Sequence, residues 1–205
     1  HCISSAASDV YKRQDVVRTA YDLHGNQTLR VEADGVSEAS EYYLATGEEG
    51  CPADPYGFVR HLKQRTTTPA KADYGDAPVL RCEFRYALQQ PVSGGSQPWL
   101  AQVEETLFQD ADDIELQKIV THYFNQPGDS LVHGRTSVTE TFVGGVLTST
   151  DFFYSKPTNR RTGEKVLRTV EKLSSSLDKS TKTITREHSL TSGEPVSYTH
   201  LRAHE

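Results

Sequence analysis

His24, His61, His122, His133 and His188 are spread along the central part of this 205-residue chain, and histidine is the side chain best suited to acid–base work or metal ligation near neutral pH. None belongs to an HExxH pair, and none stands at zinc-ligand spacing from Cys51 or Cys82. They read as surface or turn residues. Asp110, Asp112, Asp113 and Glu115 have the density of a calcium loop but lack its central glycine and its bidentate glutamate at the closing offset, so a solvated turn is expected. Ser93-Gly94-Gly95-Ser96 has neither the GxSxG elbow of a nucleophile nor the GK[ST] ending of a phosphate loop, and it reads as a flexible connection. Asp54-Pro55-Tyr56-Gly57 reads as a turn in which Pro55 and Gly57 set the backbone angles. These patterns select no catalytic residue, no metal and no cofactor, and the chain is expected not to be an enzyme.

The two ends differ in character from the middle. Ser4 to Gln14 reads SSAASDVYKRQ and Val196 to Glu205 reads VSYTHLRAHE, and neither shows the hydrophobic periodicity found between them. Asp9 to Gln14 can be written GAT GTG TAT AAG AGA CAG. The reverse complement of that DNA, read one base out of frame, encodes Val-Ser-Tyr-Thr-His-Leu behind a proline codon, which matches Pro195 to Leu201. One DNA element thus brackets the chain in opposite orientations. The flanks resemble the adaptors of transposase-based sequencing libraries, so residues 1–14 and 196–205 are expected to be non-native tails. The native segment is then 15–195, a piece of a larger protein.

Without the N-terminal flank Cys2 drops out, leaving Cys51 and Cys82. These two are either a disulfide or a pair of free thiols, and their spacing matches no framework. Removing Lys12 and Arg13 with Asp9 takes the net charge from −6 to −7. A moderately acidic chain is a poor partner for nucleic acid. No apolar run approaches the roughly 18 residues of a membrane span.

The elements that would position any site are strands. Leu80, Cys82, Phe84, Tyr86 and Leu88 alternate with Arg81, Glu83, Arg85 and Ala87, the period of a strand with one covered face. Thr136 to Val143 and Val146 to Tyr154 are β-branched and aromatic, and Gly144-Gly145 between them suits a tight hairpin. Val166 to Leu173 and Thr181 to Leu190 form a further pair around a polar connection at Ser176 to Ser180. Leu100 to Val120 contains good helix formers such as Glu104, Glu105 and Glu115. The turn chemistry of Asp110 to Asp113 and the aromatic run to Phe124 favour two strands there, with a helix as the alternative.

A loose unit recurs along the chain, consisting of an aromatic strand, a Gly/Asn/Pro/Asp turn and a returning strand. Its clearest instance is Tyr21-Asp22, then Gly25-Asn26, Leu29 and a closing Gly35. This resembles a YD repeat of the RHS (rearrangement hotspot) family. Tyr86, Tyr123 with Gly134-Arg135, and Tyr154 resemble degenerate copies, in which Phe124 stands where the family has its aspartate. The stretch Cys51 to Ala70 and the REHSLTSGEP near the end resemble the RHS-type components of bacterial insecticidal toxin complexes. The spacing of the lead tyrosines is irregular.

The resemblance implies an all-β fold of antiparallel hairpins, a fragment of a β-spiral shell that encloses a C-terminal toxin. It also implies secretion, with three partners: the remainder of the shell, the enclosed toxin, and a further toxin-complex subunit. RHS cores end near an Asp-Pro-x-Gly sequence where the toxin is released by self-cleavage. Repeat-like text continues long after Asp54, so the turn reading is retained there. The residues permit such a shell independently: Tyr packs its ring and reaches a polar partner with its hydroxyl, Gly25 and Asn26 tolerate a left-handed backbone, and Asp22 can accept backbone N–H bonds. The alternative is an extracellular carbohydrate-binding β-repeat module, in which Trp99 and the tyrosines would line a groove as exposed rings. A hydrolase on a β-scaffold would need convergent carboxylates, and no pair stands out in the sequence.

Overall fold

The computed structural model describes residues 16–71, 77–95, 97–178 and 180–203, with side chains as far as Thr199. The N-terminal flank and Ser96 lie outside the described residues. Twelve strands follow one another in a single antiparallel sheet whose spatial order is the chain order. They are β1 (Arg18–Tyr21), β2 (Gln27–Val31), β3 (Ser37–Tyr42), β4 (Leu62–Thr68), β5 (Leu80–Gln89), β6 (Trp99–Gln109), β7 (Ile114–Tyr123), β8 (Thr136–Val143), β9 (Val146–Ser155), β10 (Val166–Ser175), β11 (Thr181–Ser189) and β12 (Pro195–Ala203). The protein is all-β, and each strand pairs with its sequence neighbours through local hairpins.

The expected strands are present. Leu100 to Val120 resolves into β6 and β7 around a single 3-10 turn at Asp110–Asp112. The good helix formers Glu104, Glu105 and Glu115 are overridden there by cross-strand pairing. Gly144 and Gly145 have φ of +56° and +80°, the two left-handed positions that a two-residue hairpin requires. β12 falls in the segment expected to be a non-native tail. Its alternating Val-Ser-Tyr-Thr is β-compatible, and the free backbone groups of β11 recruit it along Thr181 to His188.

Up-and-down order places every second connection at the same border of the sheet. One border carries Ala33–Gly35, the Asp110–Asp112 turn and Gly144-Gly145; the other carries Asp22–Asn26, the long segment Tyr43–His61, and the connections after β5, β7, β9 and β11. Four of the five longest connections therefore gather on one border, the exception being that between β4 and β5.

The sheet is a single layer, so little of it is buried. Tyr43, Cys51, Phe84, Leu100, Ala101, Val166 and Ile184 are the buried hydrophobic residues among those described. The main cluster forms where the Tyr43–His61 segment folds back on the sheet: Tyr43, Cys51 and Leu100 pack with Tyr86 against them. Tyr43 donates its hydroxyl to the Phe84 carbonyl at 2.8 Å, and the Tyr86 amide donates to the Gly50 carbonyl at 2.8 Å. Elsewhere the faces are held by cross-strand pairs. Glu104 bridges Arg85 and Lys118, and the Arg81 guanidinium lies over the Phe108 ring at 4.8 Å. Such exposed ion pairs contribute up to about 1 kcal/mol each.

The alternation through β5 is thus graded by this cover. Phe84, under the folded-back segment, is 5% exposed, while Leu88 on the same face is 42% exposed. Phe84→Ala is expected to destabilise the chain by about 3 kcal/mol or more, and Leu88→Ala by less than about 1 kcal/mol. Chemical denaturation of the two variants measures the difference, and equal losses would contradict the placement of the core.

Candidate functional site: the tyrosine row and the loop border

Each hairpin whose strands meet at the loop border presents an aromatic residue at the same structural position. Tyr21 lies opposite Gln27, Tyr42 opposite Leu62, Tyr86 opposite Gln102, Tyr123 opposite Thr136 and Tyr154 opposite Thr169, with His188 opposite Pro195 in the last hairpin. At Tyr21, Tyr42, Tyr86, Tyr123 and His188 the register slips by one residue, and the skipped residue lies on the partner strand. A bulge of this kind re-aims the side chain beside it and increases the local twist. Alternation carried through the pairings places all of these side chains on one face.

The hydroxyls link the hairpins in series. Tyr42 donates to the carbonyl of Gln27 at 3.2 Å, Tyr123 to that of Gln102 at 2.8 Å, and Tyr154 to that of Thr136 at 3.0 Å. The Tyr86 hydroxyl instead accepts a hydrogen bond from the backbone of Leu62. In each case the partner is the residue opposite the preceding tyrosine. Each tyrosine therefore clips its own hairpin to the one before it. Desolvation raises the Tyr123 and Tyr154 hydroxyls above the ordinary tyrosine range and pushes Tyr86 up to about 12, so all three remain protonated at neutral pH.

The first unit was legible in detail. Asp22 accepts the amides of His24 and Asn26, both at 2.8 Å, and the Asn26 side chain at 2.9 Å. Desolvation, the largest single influence, raises the Asp22 carboxyl, but the bonds from Asn26 and His24 outweigh it and hold the group below its ordinary value. Gly25 takes φ +85°, and Asn26 reaches across to the Val59 carbonyl at 2.9 Å, tying this turn to the long segment. Leu29 is 39% exposed in β2, and Gly35 turns the chain into β3 at φ +95°. Gly134 has φ +75°, and an added Cβ would stand 2.8 Å from the Trp99 ring. Arg135 donates to the Leu131 carbonyl and lies over the Tyr154 ring at 5.3 Å.

Sequence reading did not single out Tyr42 or Tyr43. The available signal was a tyrosine closing a strand and followed by turn residues, as at Tyr21; the doubled Tyr42-Tyr43 obscured which one occupies the row. Tyr42 does, and Tyr43 turns into the core.

The other candidate groups brace loops. Asp54 is 7% exposed, and its carboxylate accepts the amides of Tyr56 at 2.8 Å and Phe58 at 3.2 Å, with Arg60 at 2.9 Å and His61 at 3.0 Å. Gly57, at φ +73°, completes the turn. Burial raises the carboxyl, but those bonds together hold it at about 2. Cys51 and Cys82 are free. Burial, reinforced by Asp54 and Glu48 for the first and by Glu105 for the second, pushes each thiol up to about 11. Both are held as thiols, the unreactive form. His61 sits against the Tyr86 ring at 4.9 Å. His133 accepts the Gln126 amide on Nδ1 and contacts the Gln90 carbonyl through Nε2 at 2.6 Å, the geometry of the Nε2–H tautomer. Asp110 and Asp113 are bound by Arg81. Among the described residues, no group of three or more His, Cys, Asp and Glu is placed to hold a metal.

Trp99, Tyr86, Tyr123 and Tyr154 are half-buried. The Trp99 ring meets His133 edge to face at 5.8 Å, and Tyr154 is flanked by Phe124 at 6.1 Å. A cleft of about 330 Å³ opens beside Tyr43, lined by Glu48, Lys63, Gln64, Glu83 and Arg85. Lys63 spans it, paired with Glu48 at 2.7 Å and lying over the Tyr43 ring at 5.6 Å.

Two outcomes test these roles. Tyr123→Phe removes one clip while keeping the ring, and is expected to destabilise the chain by about 1 kcal/mol; an unchanged denaturation midpoint would show the hydroxyl to be idle. Asp54 titrates at about 2 when folded, below the unfolded value of about 4. Its stabilisation is therefore complete above about pH 4 and is lost as the pH falls towards 2. Asp54→Asn should lower the melting temperature at neutral pH and narrow its gap to the unsubstituted chain as the pH drops through that window.

Comparisons of the chain with protein-family models, with curated proteins and with solved structures find no match.

Proposed function

We propose that this chain is a wall segment of an RHS/YD-repeat shell: a structural, non-enzymatic stretch of a secreted bacterial protein that encloses a toxic C-terminal cargo. The observation that carries the reading is the row on one face of the sheet, a tyrosine in each of the first five loop-border hairpins, with the hydroxyls of Tyr42, Tyr86, Tyr123 and Tyr154 each bonded to the backbone of the hairpin before it. A wall built by repetition needs a bond of this kind, because it must join successive hairpins while leaving the number of hairpins open. The single-layer sheet supports the same reading, since a shell wall exposes one face to the cargo and the other to solvent.

In this reading the partners are the flanking hairpins of the same shell, the enclosed toxin, and a further toxin-complex subunit that docks on the assembled shell. Asp54 is a turn residue within the wall. Its carboxylate is occupied by four donors, which leaves it committed to holding Tyr56 to His61 in place. The tails at 1–14 and 196–205 belong to the handling of the DNA and not to the shell.

Recovery of the uninterrupted reading frame from the source DNA tests the proposal. Further Tyr-Asp units are expected on both sides, replacing both tails, with a distinct C-terminal region beyond them. When that full-length protein is expressed, its C-terminal region should resist protease until denaturant opens the shell. A frame in which this segment is a lone module joined to a hydrolase, or a C-terminal region cleaved as fast as the isolated polypeptide, would overturn it.

A further inference from the structure

The turn that closes β9 onto β10 occurs a second time after β11. Asn159-Arg-Arg-Thr-Gly-Glu164 and Ser189-Leu-Thr-Ser-Gly-Glu194 share one pattern, and their hydrogen bonds correspond position by position. The first residue accepts two amides on its side-chain oxygen, those of Arg161 and Thr162 in one turn and of Thr191 and Ser192 in the other. Its own amide donates to the glutamate carbonyl, and its carbonyl accepts the glycine amide. The hydroxyl of Thr162 or Ser192 accepts the glutamate amide, and Gly163 and Gly193 take φ of +75° and +77°. The frame is therefore made by Asn or Ser, Thr or Ser, and Gly. Leu190 and Thr191 stand where Arg160 and Arg161 do, so the turn itself does not call for the arginines.

The arginine side chains have no structural partner either. Arg160 and Arg161 are exposed, as are Lys156 and Lys165 at the foot of the turn, and among the described residues none of the four forms an ion pair. Arg168 and Arg186, on the strands that follow, are each paired with a glutamate. The one acid of the turn, Glu164, is bonded to the Ser189 hydroxyl at 3.0 Å. Ser155 pairs with Arg168 and Thr158 with Lys165 in one unbroken register, so alternation sets Lys156 and Lys165 on one face as diagonal neighbours. Asn159 is buried and donates from its side chain to Glu187 at 2.6 Å, which fixes the turn on the sheet.

This positive charge is local. Residues 156–190 hold nine Lys and Arg against four Asp and Glu, while residues 15–155 hold ten against twenty-one. Along the same border the neighbouring connections expose Asp129 and Glu194. A membrane or a nucleic acid would extend over these acidic neighbours. A short ligand confined to the turn meets the cations alone, because exposed charges beyond about 8 Å are screened at physiological salt. Guanidinium forks match carboxylates in bidentate fashion.

We propose that the β9–β10 turn is a docking site for a short acidic polypeptide segment, with Arg160 and Arg161 gripping its carboxylates and Lys156 and Lys165 adding charge at the foot. The inference rests on the turn and is independent of the shell reading.

The test uses the full chain and a fluorescein-labelled octaglutamate peptide, followed by fluorescence anisotropy. Binding is expected at low salt and should weaken as salt is raised. Arg160→Leu with Arg161→Thr, which copies the second turn, should retain the circular dichroism and melt of the parent and weaken binding roughly tenfold. Arg160→Gln with Arg161→Gln serves in its place should that variant fold poorly. Lys172→Gln with Lys182→Gln removes the same charge from the adjacent strands and should change the affinity by less than about twofold. Three results overturn the proposal: a wild-type chain that does not bind the peptide at low salt, equal losses from the arginine and lysine pairs, or phosphatidylserine vesicles or an oligothymidylate of the same charge bound as tightly as the peptide.

Discussion

A sheet one layer thick cannot bury either face against a second layer, and this constraint governs the rest of the structure. Hydrophobic burial, the dominant driving force in most domains, is limited to a few residues, chiefly the patch where Tyr43–His61 folds back to pack Tyr43 and Cys51 with Leu100, with Phe84, Val166 and Ile184 buried besides. The remaining order has to come from connections between neighbouring strands. Ladder hydrogen bonds supply most of these, but ladders by themselves permit register slips when neither face is strongly buried. The tyrosine clip removes that freedom. Its ring covers part of the sheet, its hydroxyl reaches a particular backbone group on the preceding strand, and the bulge beside it fixes where the register changes.

The loop border can vary because the clip lies in the strands. Asp22, Asp54 and Asn159 each accept backbone amides within their own turn, so each connection is stabilised locally whatever its length. Neighbouring connections are then tied together: Asn26 to Val59, His133 to Gln90, and Ser189 to Glu164. Insertions of different sizes can thus be accommodated without disturbing the row. The irregular spacing of the tyrosines along the chain is the direct result.

The chemistry-bearing side chains are drawn into the same task. Asp54 is fixed as a carboxylate by four donors, and the cysteines are kept as thiols by burial and nearby carboxylates. In each case the surroundings fix the protonation state. Glu187 follows the pattern, 4% exposed and bonded to Arg168, Asn159 and Ser197. A buried carboxylate of this kind is tolerable because its acceptor sites are filled by donors.

By itself the sequence determined the fold class and most of the strands, since alternation and turn glycines act over a few residues. The Gly144-Gly145 hairpin, the division of Leu100 to Val120 into two strands, and the Asp22 turn were all legible for that reason. The tertiary structure alone decided which tyrosines form the row. Tyr42 and Tyr43 are adjacent and alike in sequence, and only the register slip between β3 and β4 directs one to the Gln27 carbonyl and the other into the core. It also decided that Cys51 and Cys82 stay unpaired and that Asp54 is buried, because both depend on how Tyr43–His61 folds back over strands distant in the chain. Contacts of that range are set by pairing register and loop closure, and neither is written in any local pattern of residues.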